Sequence, residues 1–255
     1  MTKKLKIVSG DTNHEIAFLQ QESQNEDLGV FWLGGFKSSM LGSKANYLNE
    51  FAKKHGLEFT RFDYCGHGLS GGKFIDGTIS KWLEEALAIF ELTKGSQIIV
   101  GSSMGGWLAL LLNRILLERG KNRIKAMVLI APAIDMTKDL MSDKFSSQEL
   151  EQLEKNGFIE QPSDYEEPYI ITKKLIDDGE KHLLFGKGSI FTSCPIHILQ
   201  GKLDDAVPVE HALKLMSHIT NDECEFSLIP NGNHSLSSPK DLENLGEVIL
   251  NLVDK

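Results

Sequence analysis

A serine in a glycine-rich turn is the residue of this chain best suited to nucleophilic chemistry. The run Gly101-Ser102-Ser103-Met104-Gly105 has the form G-x-S-x-G, follows the apolar run Ile98-Ile99-Val100 and leads into an apolar helical pattern. This order predicts a nucleophile elbow, in which Ser103 lies on a strained turn between a strand and a helix. Glycines at positions 101, 105 and 106 leave room for such a turn. The start of the helix also favours negative charge near the Ser103 hydroxyl.

A serine hydroxyl needs a base to accept its proton and an acid to orient that base. His234 lies in a glycine-containing loop after a late predicted strand, and Asp204 and Asp205 follow the strand before it. Loops at the carboxyl ends of parallel strands meet at one edge of a sheet. Side-chain chemistry does not distinguish the two aspartates, but the G-x-x-D-x-x-V-P spacing favours Asp204 as the acid. Asp205 is then a loop or cap residue. The predicted catalytic residues are therefore Ser103, Asp204 and His234.

The tetrahedral intermediate of acyl transfer carries an oxyanion that needs two hydrogen-bond donors. The backbone N–H of Met104, directly after the nucleophile, is the first predicted donor. The second is the backbone N–H of Phe36, with Gly35 as the alternative, because the loop after Leu33 is expected to turn back toward Ser103. A simple flexible turn at Gly34-Gly35 is the competing interpretation.

Other residues with chemical potential have weaker support. Ser102 is expected to pack or hydrogen-bond locally, His67 to be a structural loop histidine, and His197 to lie in the core. No G-x-x-x-x-G-K-[ST] motif occurs, no G-x-G-x-x-G lies in a strand–helix context, and no cysteine–histidine cluster has zinc spacing. We therefore expect neither a cofactor nor a metal ion.

The composition is typical of an ordinary globular protein. The chain has 255 residues, of which 41% are hydrophobic and 25% charged, and its formal net charge is -9. That charge argues against nucleic acid and anionic membranes as partners, since both attract basic surfaces. No apolar segment reaches the length of a membrane span, and the three cysteines are widely spaced. These features predict a cytoplasmic protein without stable membrane insertion.

Strand and helix patterns alternate along most of the chain. Strands are predicted at 5–9, 14–20, 29–33, 57–62, 124–130, 195–200 and 224–229, together with the elbow strand that contains 98–100. Helices are predicted at 43–55, 79–93, 104–119, 208–218 and 239–252. A turn at 10–13 is expected to join the first two strands into a hairpin. The pattern predicts an α/β fold with a mostly parallel sheet of about eight strands and helices on both faces. Residues 1–255 are expected to form one domain.

Residues 133–193, hereafter the insertion, interrupt this alternation. They are rich in charge and are predicted to form a helical lid over the elbow. Ser146 and Glu149 have the spacing of a capping box, Gly157 suits a helix end, and a second helix is expected over 168–178. Four apolar side chains of this lid are candidates either for acyl-chain binding or for packing onto the core: Met136, Leu140, Met141 and Phe145.

Five segments, in order, resemble the α/β-hydrolase superfamily. They are 33–36, 63–70, 101–106, 201–208 and 232–234, and they cover the whole predicted core. Segments 31–38, 42–45 and 101–107, together with 139–141, 163–165 and 175–179, resemble more narrowly the branch that contains mitochondrial palmitoyl-protein thioesterases that also hydrolyse acyl glucuronides. That resemblance implies hydrolysis of a carboxylic ester or acyl thioester without a cofactor. Gly34 departs from the histidine that many members of the superfamily have before the oxyanion loop, and no transit peptide is evident.

Several functions share this machinery, so the alternatives remain open. The leading hypothesis is a serine hydrolase acting on a small-molecule ester or thioester through an acyl-enzyme. A peptidase and a C–C bond hydrolase use the same residues with different lid contacts. A non-enzymatic alternative is a catalytically silent binding protein with the same fold. Another alternative is a scaffold or dimerisation module that retains weak esterase activity. The acidic surface predicts no special attraction for negatively charged leaving groups.

Overall fold

The computed structural model of the chain describes residues 2–9, 12–23, 27–161, 168–219 and 223–254. Its strands are β1 (Lys3–Ser9), β2 (Thr12–Gln21), β3 (Leu28–Leu33), β4 (Glu58–Phe62), β5 (Ser96–Ser102), β6 (Ile124–Ile130), β7 (Phe158–Gln161), β8 (Tyr169–Thr172), β9 (Ile196–Gly201) and β10 (Cys224–Ile229). Its helices are α1 (Ser43–His55), α2 (Ile79–Phe90), α3 (Met104–Glu118), α4 (Ser147–Asn156), α5 (Lys173–Gly179), α6 (Val209–His218) and α7 (Pro239–Val253). The predicted core elements agree closely with these bounds, except that the observed α2 ends three residues before the end of the predicted helix.

Eight of the described strands form the central sheet, in the order β1-β2-β4-β3-β5-β6-β9-β10. Strand β2 runs antiparallel to both of its neighbours, and every other pair in the sheet is parallel. The prediction of a mostly parallel sheet of about eight strands is therefore confirmed. Part of the predicted turn between the first two strands, residues 10 and 11, lies outside the described residues.

Helices cover both faces of this sheet. On β3, Phe31 and Leu33 point into a cluster that contains side chains of α2 and α3. Val30 and Trp32 alternate with them and join a second cluster with side chains of α1 and α7. Burial on both faces explains why β3 is an almost continuous apolar run. Packing from both sides also holds the carboxyl ends of the strands in place.

The insertion contains helices, as predicted, and also an antiparallel strand pair that the sequence patterns did not indicate. Helix α4 begins with the predicted capping box between Ser146 and Glu149. Strand β8 occupies the predicted start of the second helix and pairs with β7. Its residues, Tyr169-Ile170-Ile171-Thr172, are aromatic or β-branched, and such residues favour strands. Helix α5 starts only after them, at Lys173.

The two ends of the insertion are joined through Asp135. This residue lies in the loop after β6, is buried and has a backbone φ of 52°. Its carboxylate accepts hydrogen bonds from the backbone N–H groups of Leu184, at 2.8 and 3.0 Å, and Phe185, at 2.8 Å. Burial raises the pKa of this carboxyl. These hydrogen bonds satisfy two backbone N–H donors with one buried carboxylate, so they hold the two ends of the insertion together.

Candidate active site

Ser103 lies on a sharp turn between β5 and α3. Its φ of 54° and ψ of -119° place it outside the regions that L-residues normally adopt. The backbone N–H of Ser103 donates to Ile130 O at 2.9 Å, and its carbonyl accepts from the N–H of Ala133 at 3.1 Å. These bonds to β6 and the segment after it hold the strained residue in position. The strand–turn–helix geometry expected for an elbow is therefore present.

Three glycines allow the chain to pass close to itself at this turn. A Cβ atom at Gly105 would lie 2.0 Å from Leu33 O, and one at Gly101 would lie 2.5 Å from Gly105 O. A Cβ atom at Gly106 would lie 3.0 Å from Cβ of Pro132. The predicted need for small residues around the elbow therefore has a direct steric cause. The restriction is strictest at Gly101 and Gly105, where an added Cβ atom would collide with backbone atoms.

We expect Gly105→Ala to destabilise the protein by about 3 kcal/mol or to prevent its folding, because the methyl group would displace the backbone at Leu33. Urea unfolding of the purified variant measures the effect. Gly71→Ala is the matched control, since a Cβ atom there would meet its nearest neighbours, the backbone N and O of Glu15, at 3.5 Å. Equal stability of the two variants would contradict the steric explanation.

The structure brings together the three side chains selected from the sequence. His234 Nε2 lies 3.1 Å from Ser103 Oγ, and His234 Nδ1 lies 2.9 Å from Asp204 Oδ2. Asp204 follows β9 and His234 follows β10, so both reach the elbow from the carboxyl ends of strands on one side of β5. The Asp204 side chain is fully buried, whereas the His234 side chain is 36% exposed. The imidazole is thus held on one side and open to small molecules.

The carboxylate of Asp204 has further partners that fix its orientation. Its Oδ1 accepts from the N–H groups of Ala206 and Val207, at 3.0 and 2.8 Å. Its Oδ2 also accepts from Gln200 Nε2 at 3.2 Å. Asp205 is exposed and lines the cavity. The sequence patterns did not single out Gln200, because a polar residue inside a strand gives no indication of what it supports.

The loop after β3 approaches the nucleophile from the other side. A Cβ atom at Gly35 would lie 3.3 Å from Cβ of Ser103, which places this loop against the elbow. In the same loop, Lys37 has a φ of 55°, and its N–H donates to His67 Nε2 at 3.1 Å. Among the described residues, no carbonyl or side chain accepts from the N–H of Phe36 or of Met104. Both predicted oxyanion donors are therefore available.

His67 supports the loop after β3. Its Nδ1 lies 3.1 Å from Cys65 O, so this nitrogen carries the proton and Nε2 accepts from Lys37. The ring is buried and packs edge-on against Trp82 and Phe74. Burial lowers the pKa of this histidine, which favours the neutral ring that the two hydrogen bonds require. The structural role expected from the sequence agrees with these contacts.

A cavity of about 680 Å³ opens beside Ser103 and His234. Its walls come from the loop after β3, the start of α1 and the loops after β9 and β10. Within the described part of the insertion, Tyr169 is the residue that lines it. The apolar lid residues considered as acyl-chain contacts do not line it. Met136 is buried in the main core and Phe145 in a small cluster inside the insertion, so the packing alternative explains their apolar character.

Comparisons with known proteins identify the family. The profile of the serine aminopeptidase S33 family matches residues 30–156. Over 233 residues the chain is 32% identical to the mitochondrial palmitoyl-protein thioesterase ABHD10 of Bos taurus, and the match covers 89% of this chain and 73% of the relative. The chain belongs to the α/β-hydrolase superfamily.

Solved structures agree with this assignment. A hydrolase from Agrobacterium vitis S4 is 42% identical, with a TM-score of 0.95 over 99% of this chain and 98% of that one. The mouse α/β hydrolase domain-containing protein 10 is 28% identical, with a TM-score of 0.85 and the same coverage. Since curated relatives are named as a thioesterase and an esterase/lipase, this α/β hydrolase is a hydrolytic enzyme.

A second grouping of serine, histidine and aspartate in this hydrolase has a different geometry. Ser80 Oγ lies 2.7 Å from His182 Nε2 and 2.9 Å from Asp178 Oδ1, and Asp178 Oδ2 accepts from the Ser80 N–H. The Asp178 carboxylate therefore hydrogen-bonds to Ser80 itself. It does not orient His182 through Nδ1, the imidazole nitrogen remote from the serine. This grouping lacks the relay that activates a nucleophile. It instead ties α5 of the insertion to the start of α2.

One cluster of the described residues has the donor types of a metal site. Ligand atoms of His14, Cys65 and Glu85 lie within 4.8 Å of one another. The Glu85 carboxylate is already engaged, at 2.6 Å from His14 Nε2 and by the Cys65 N–H at 2.9 Å. Burial and the nearby Glu85 raise the pKa of the Cys65 thiol, which keeps the thiol protonated. The contacts therefore account for the cluster as an internal hydrogen-bond network behind the site. The sequence patterns did not connect these residues, which lie on three separate elements.

The sequence predicts no membrane-spanning segment. Among the described residues, no helix combines the length and the apolar character that crossing a bilayer requires.

Proposed function

We propose that this α/β hydrolase cleaves carboxylic esters or acyl thioesters through an acyl-enzyme formed on Ser103. The observation that carries the proposal is the continuous hydrogen-bonded series from Ser103 Oγ through His234 to Asp204, at 3.1 and 2.9 Å. The strained position of the serine and the open cavity beside it support the same role. The thioesterase and esterase names of its relatives support the ester and thioester class.

In the first half of the proposed reaction, His234 Nε2 takes the hydroxyl proton as Ser103 Oγ attacks the acyl carbonyl carbon. The oxyanion of the tetrahedral intermediate accepts hydrogen bonds from the N–H groups of Met104 and Phe36. The bond from the carbonyl carbon to the leaving oxygen or sulfur then breaks. His234 gives its proton to the departing alcohol or thiol, and Asp204 stays ionised to orient the imidazole.

In the second half, water attacks the acyl-enzyme. His234 takes one proton from the water as its oxygen bonds to the carbonyl carbon, and the same two N–H groups stabilise the second oxyanion. Collapse breaks the bond to Ser103 Oγ, and His234 returns the proton to the serine. The product is the carboxylic acid, and no cofactor enters either half.

A matched series of substrates tests this proposal. Esters, thioesters and amides with the same acyl chains from two to sixteen carbons are compared by kcat/KM. We expect turnover of esters or thioesters at least about a hundredfold above amides, with an optimum in chain length that defines the acyl pocket. Preference for aminoacyl amides would favour the peptidase alternative, to which the name of the matching family profile points. Absence of turnover together with absence of labelling by a reactive phosphonate would favour a binding protein or scaffold.

The proposal also includes a cytoplasmic location, a small-molecule substrate and no nucleic-acid partner. The word mitochondrial in the names of several relatives describes those proteins. Fractionation of cells that produce a C-terminally tagged chain tests the location directly.

A further inference from the structure

Lys37 has a backbone conformation that its residue type does not favour. It is the third residue of the turn from Gly35 to Ser38, which the Ser38 N–H closes by donating to Gly35 O at 3.2 Å, and its φ is 55°. Turns with a positive φ at the third residue usually have glycine or asparagine there, because a Cβ atom is crowded in this region. Glycines instead occupy positions 34 and 35, and neither has a positive φ. The contacts of the lysine side chain must therefore explain its presence.

This turn sets the direction of one proposed oxyanion donor. Gly35 O and the Phe36 N–H belong to the same peptide unit, and in a planar trans peptide the two groups point in opposite directions. Ser38 holds Gly35 O through its N–H and also through its hydroxyl, at 2.7 Å. On the other side of the turn, the Lys37 N–H donates to His67 Nε2. The direction of the Phe36 N–H is therefore fixed relative to the turn, and it depends on where the whole turn lies against the elbow.

The side chain of Lys37 joins this turn to the insertion. Its Nζ donates to Pro168 O at 3.1 Å and lies 4.8 Å from the ring centroid of Tyr169, the first residue of β8. It also lies 5.4 Å from the ring centroid of Phe74, in the loop after β4. Ammonium groups at such distances are attracted to the faces of aromatic rings. Lys37 thus connects the turn with two other segments, and both Lys37 and Tyr169 line the cavity.

The Phe36 side chain contacts the same two aromatic residues. Its ring centroid lies 4.9 Å from that of Phe74, in an edge-on arrangement, and 6.3 Å from that of Tyr169. The side chains at 36 and 37 therefore hold the turn against the insertion together. A glycine at position 37 would suit the backbone better, but it would remove one of these two attachments. This explains why a lysine occupies a position that disfavours it.

We propose that Lys37 is a positioning residue for the reaction, because its side chain fixes the turn from Gly35 to Ser38 to the insertion and so keeps the Phe36 N–H directed at the oxyanion. This inference rests on the proposed function and adds a residue to it. The contacts of the Lys37 ammonium are with the insertion and with Phe74, so its effect on the reaction passes through the backbone of the turn. Since the side chain is exposed, these contacts contribute little to stability.

Three substitutions at position 37 test the inference with the best ester or thioester of the wild-type enzyme. Lys37→Met removes the charge and the hydrogen-bond donor, and Lys37→Gly also removes the strain of the backbone. We expect both to lower kcat by about tenfold to a hundredfold, which is part of the cost of losing a whole oxyanion donor, and to change KM by less than about threefold. Lys37→Arg keeps the charge, a donor and the ring contacts, so its kcat should stay within about threefold of wild type.

Unfolding measurements separate positioning from folding. Lys37→Gly places glycine at a positive φ, so the midpoint of its urea unfolding is expected to equal or exceed that of wild type although kcat falls. Lys73→Met is the matched control, because Lys73 is an exposed lysine next to Phe74 in the sequence and has a φ of -111°. Its kcat should stay within about threefold of wild type. Losses of kcat at Lys37 that follow equal losses of stability would make Lys37 a structural residue and overturn the inference.

Inhibition by a trifluoromethyl ketone reports directly on the oxyanion donors. Ser103 Oγ adds to the ketone carbon, the hydroxyl proton passes to His234, and the ketone oxygen becomes an oxyanion bound by the two N–H groups. The corresponding methyl ketone forms far less of this adduct and measures binding alone. We expect Lys37→Met to weaken the trifluoromethyl ketone by the same factor as kcat/KM, and the methyl ketone by less than about threefold. Equal weakening of both ketones, or a higher KM at unchanged kcat, would show an effect on binding and overturn the inference.

The wild-type enzyme in the same assays distinguishes this inference from the proposed function. Absence both of ester and thioester turnover and of inhibition by the trifluoromethyl ketone would overturn the two together. If the wild-type enzyme is active and inhibited, and Lys37→Met equals it in kcat and in inhibition, the proposed function stands and the role of Lys37 is refuted.

Discussion

Ser103→Ala is expected to lower kcat for the best ester or thioester by about five to six orders of magnitude. The variant keeps the cavity and the oxyanion donors, but it has no hydroxyl that His234 can activate. Residual turnover then comes only from binding and from oxyanion stabilisation of a direct attack by water. Steady-state kinetics at high enzyme concentration measures the loss. A phosphonate should label the wild-type protein once per chain and leave the variant unlabelled.

Ser80→Ala is the matched control, because Ser80 also lies beside a histidine and an aspartate. We expect this variant to keep kcat within about threefold of wild type, although it loses a link between the insertion and α2. Peptide mapping should place the phosphonate on Ser103 rather than on Ser102. Labelling of Ser80, or near-normal turnover by Ser103→Ala, would contradict the proposed mechanism.

Asp204→Asn is expected to lower kcat by about 10⁴-fold with little change in the folded structure. An amide at this position cannot stabilise the imidazolium, and its NH₂ group favours the wrong tautomer of His234. The change keeps the size of the side chain, although the hydrogen bonds to the N–H groups of Ala206 and Val207 depend on which way the amide points. Comparison of kcat with the midpoint of urea unfolding separates the catalytic effect from destabilisation.

Asp205→Asn is the neighbouring control, and it addresses the ambiguity that the sequence leaves between the two aspartates. Because Asp205 is exposed and makes no hydrogen bond to His234 in the structure, its kcat on a neutral ester should change less than about threefold. If the two substitutions had equal effects, Asp204 would not be the acid of the site.

Much of the fold was predictable because local patterns report local forces. Apolar runs such as 29–33 and 98–100 indicate strands buried on both faces. The helix at 43–55 was predicted with its observed bounds, because Gly56 adopts the left-handed conformation that ends it. The insertion was predicted less well. A short stretch such as 169–172 can be helix or strand, and its pairing with 158–161 decided the outcome.

Some residues of the candidate site could be selected from the sequence and others could not. Ser103, Asp204 and His234 were selectable because the turn at 103 and the loops after two strands restrict which residue types fit there. Gln200 was not, because a polar residue inside a strand does not show which side chain it supports. Contacts between remote segments were not predictable either, such as the hydrogen bond between Lys44 and Ser235, which are 191 positions apart. The same holds for His14, Cys65 and Glu85, which meet from a strand, a loop and a helix.

The amino-acid sequence by itself determined the order of the strands and helices outside the insertion, the strained turn at Ser103 and the identity of the acid and base candidates. Each of these depends on backbone preferences and apolar spacing within a few residues. Only the tertiary structure decided which side chains line the cavity, and that apolar residues of the insertion pack onto the main core or within the insertion instead of lining that cavity. Those features depend on distances between segments remote in the chain, and local patterns carry no information about such distances.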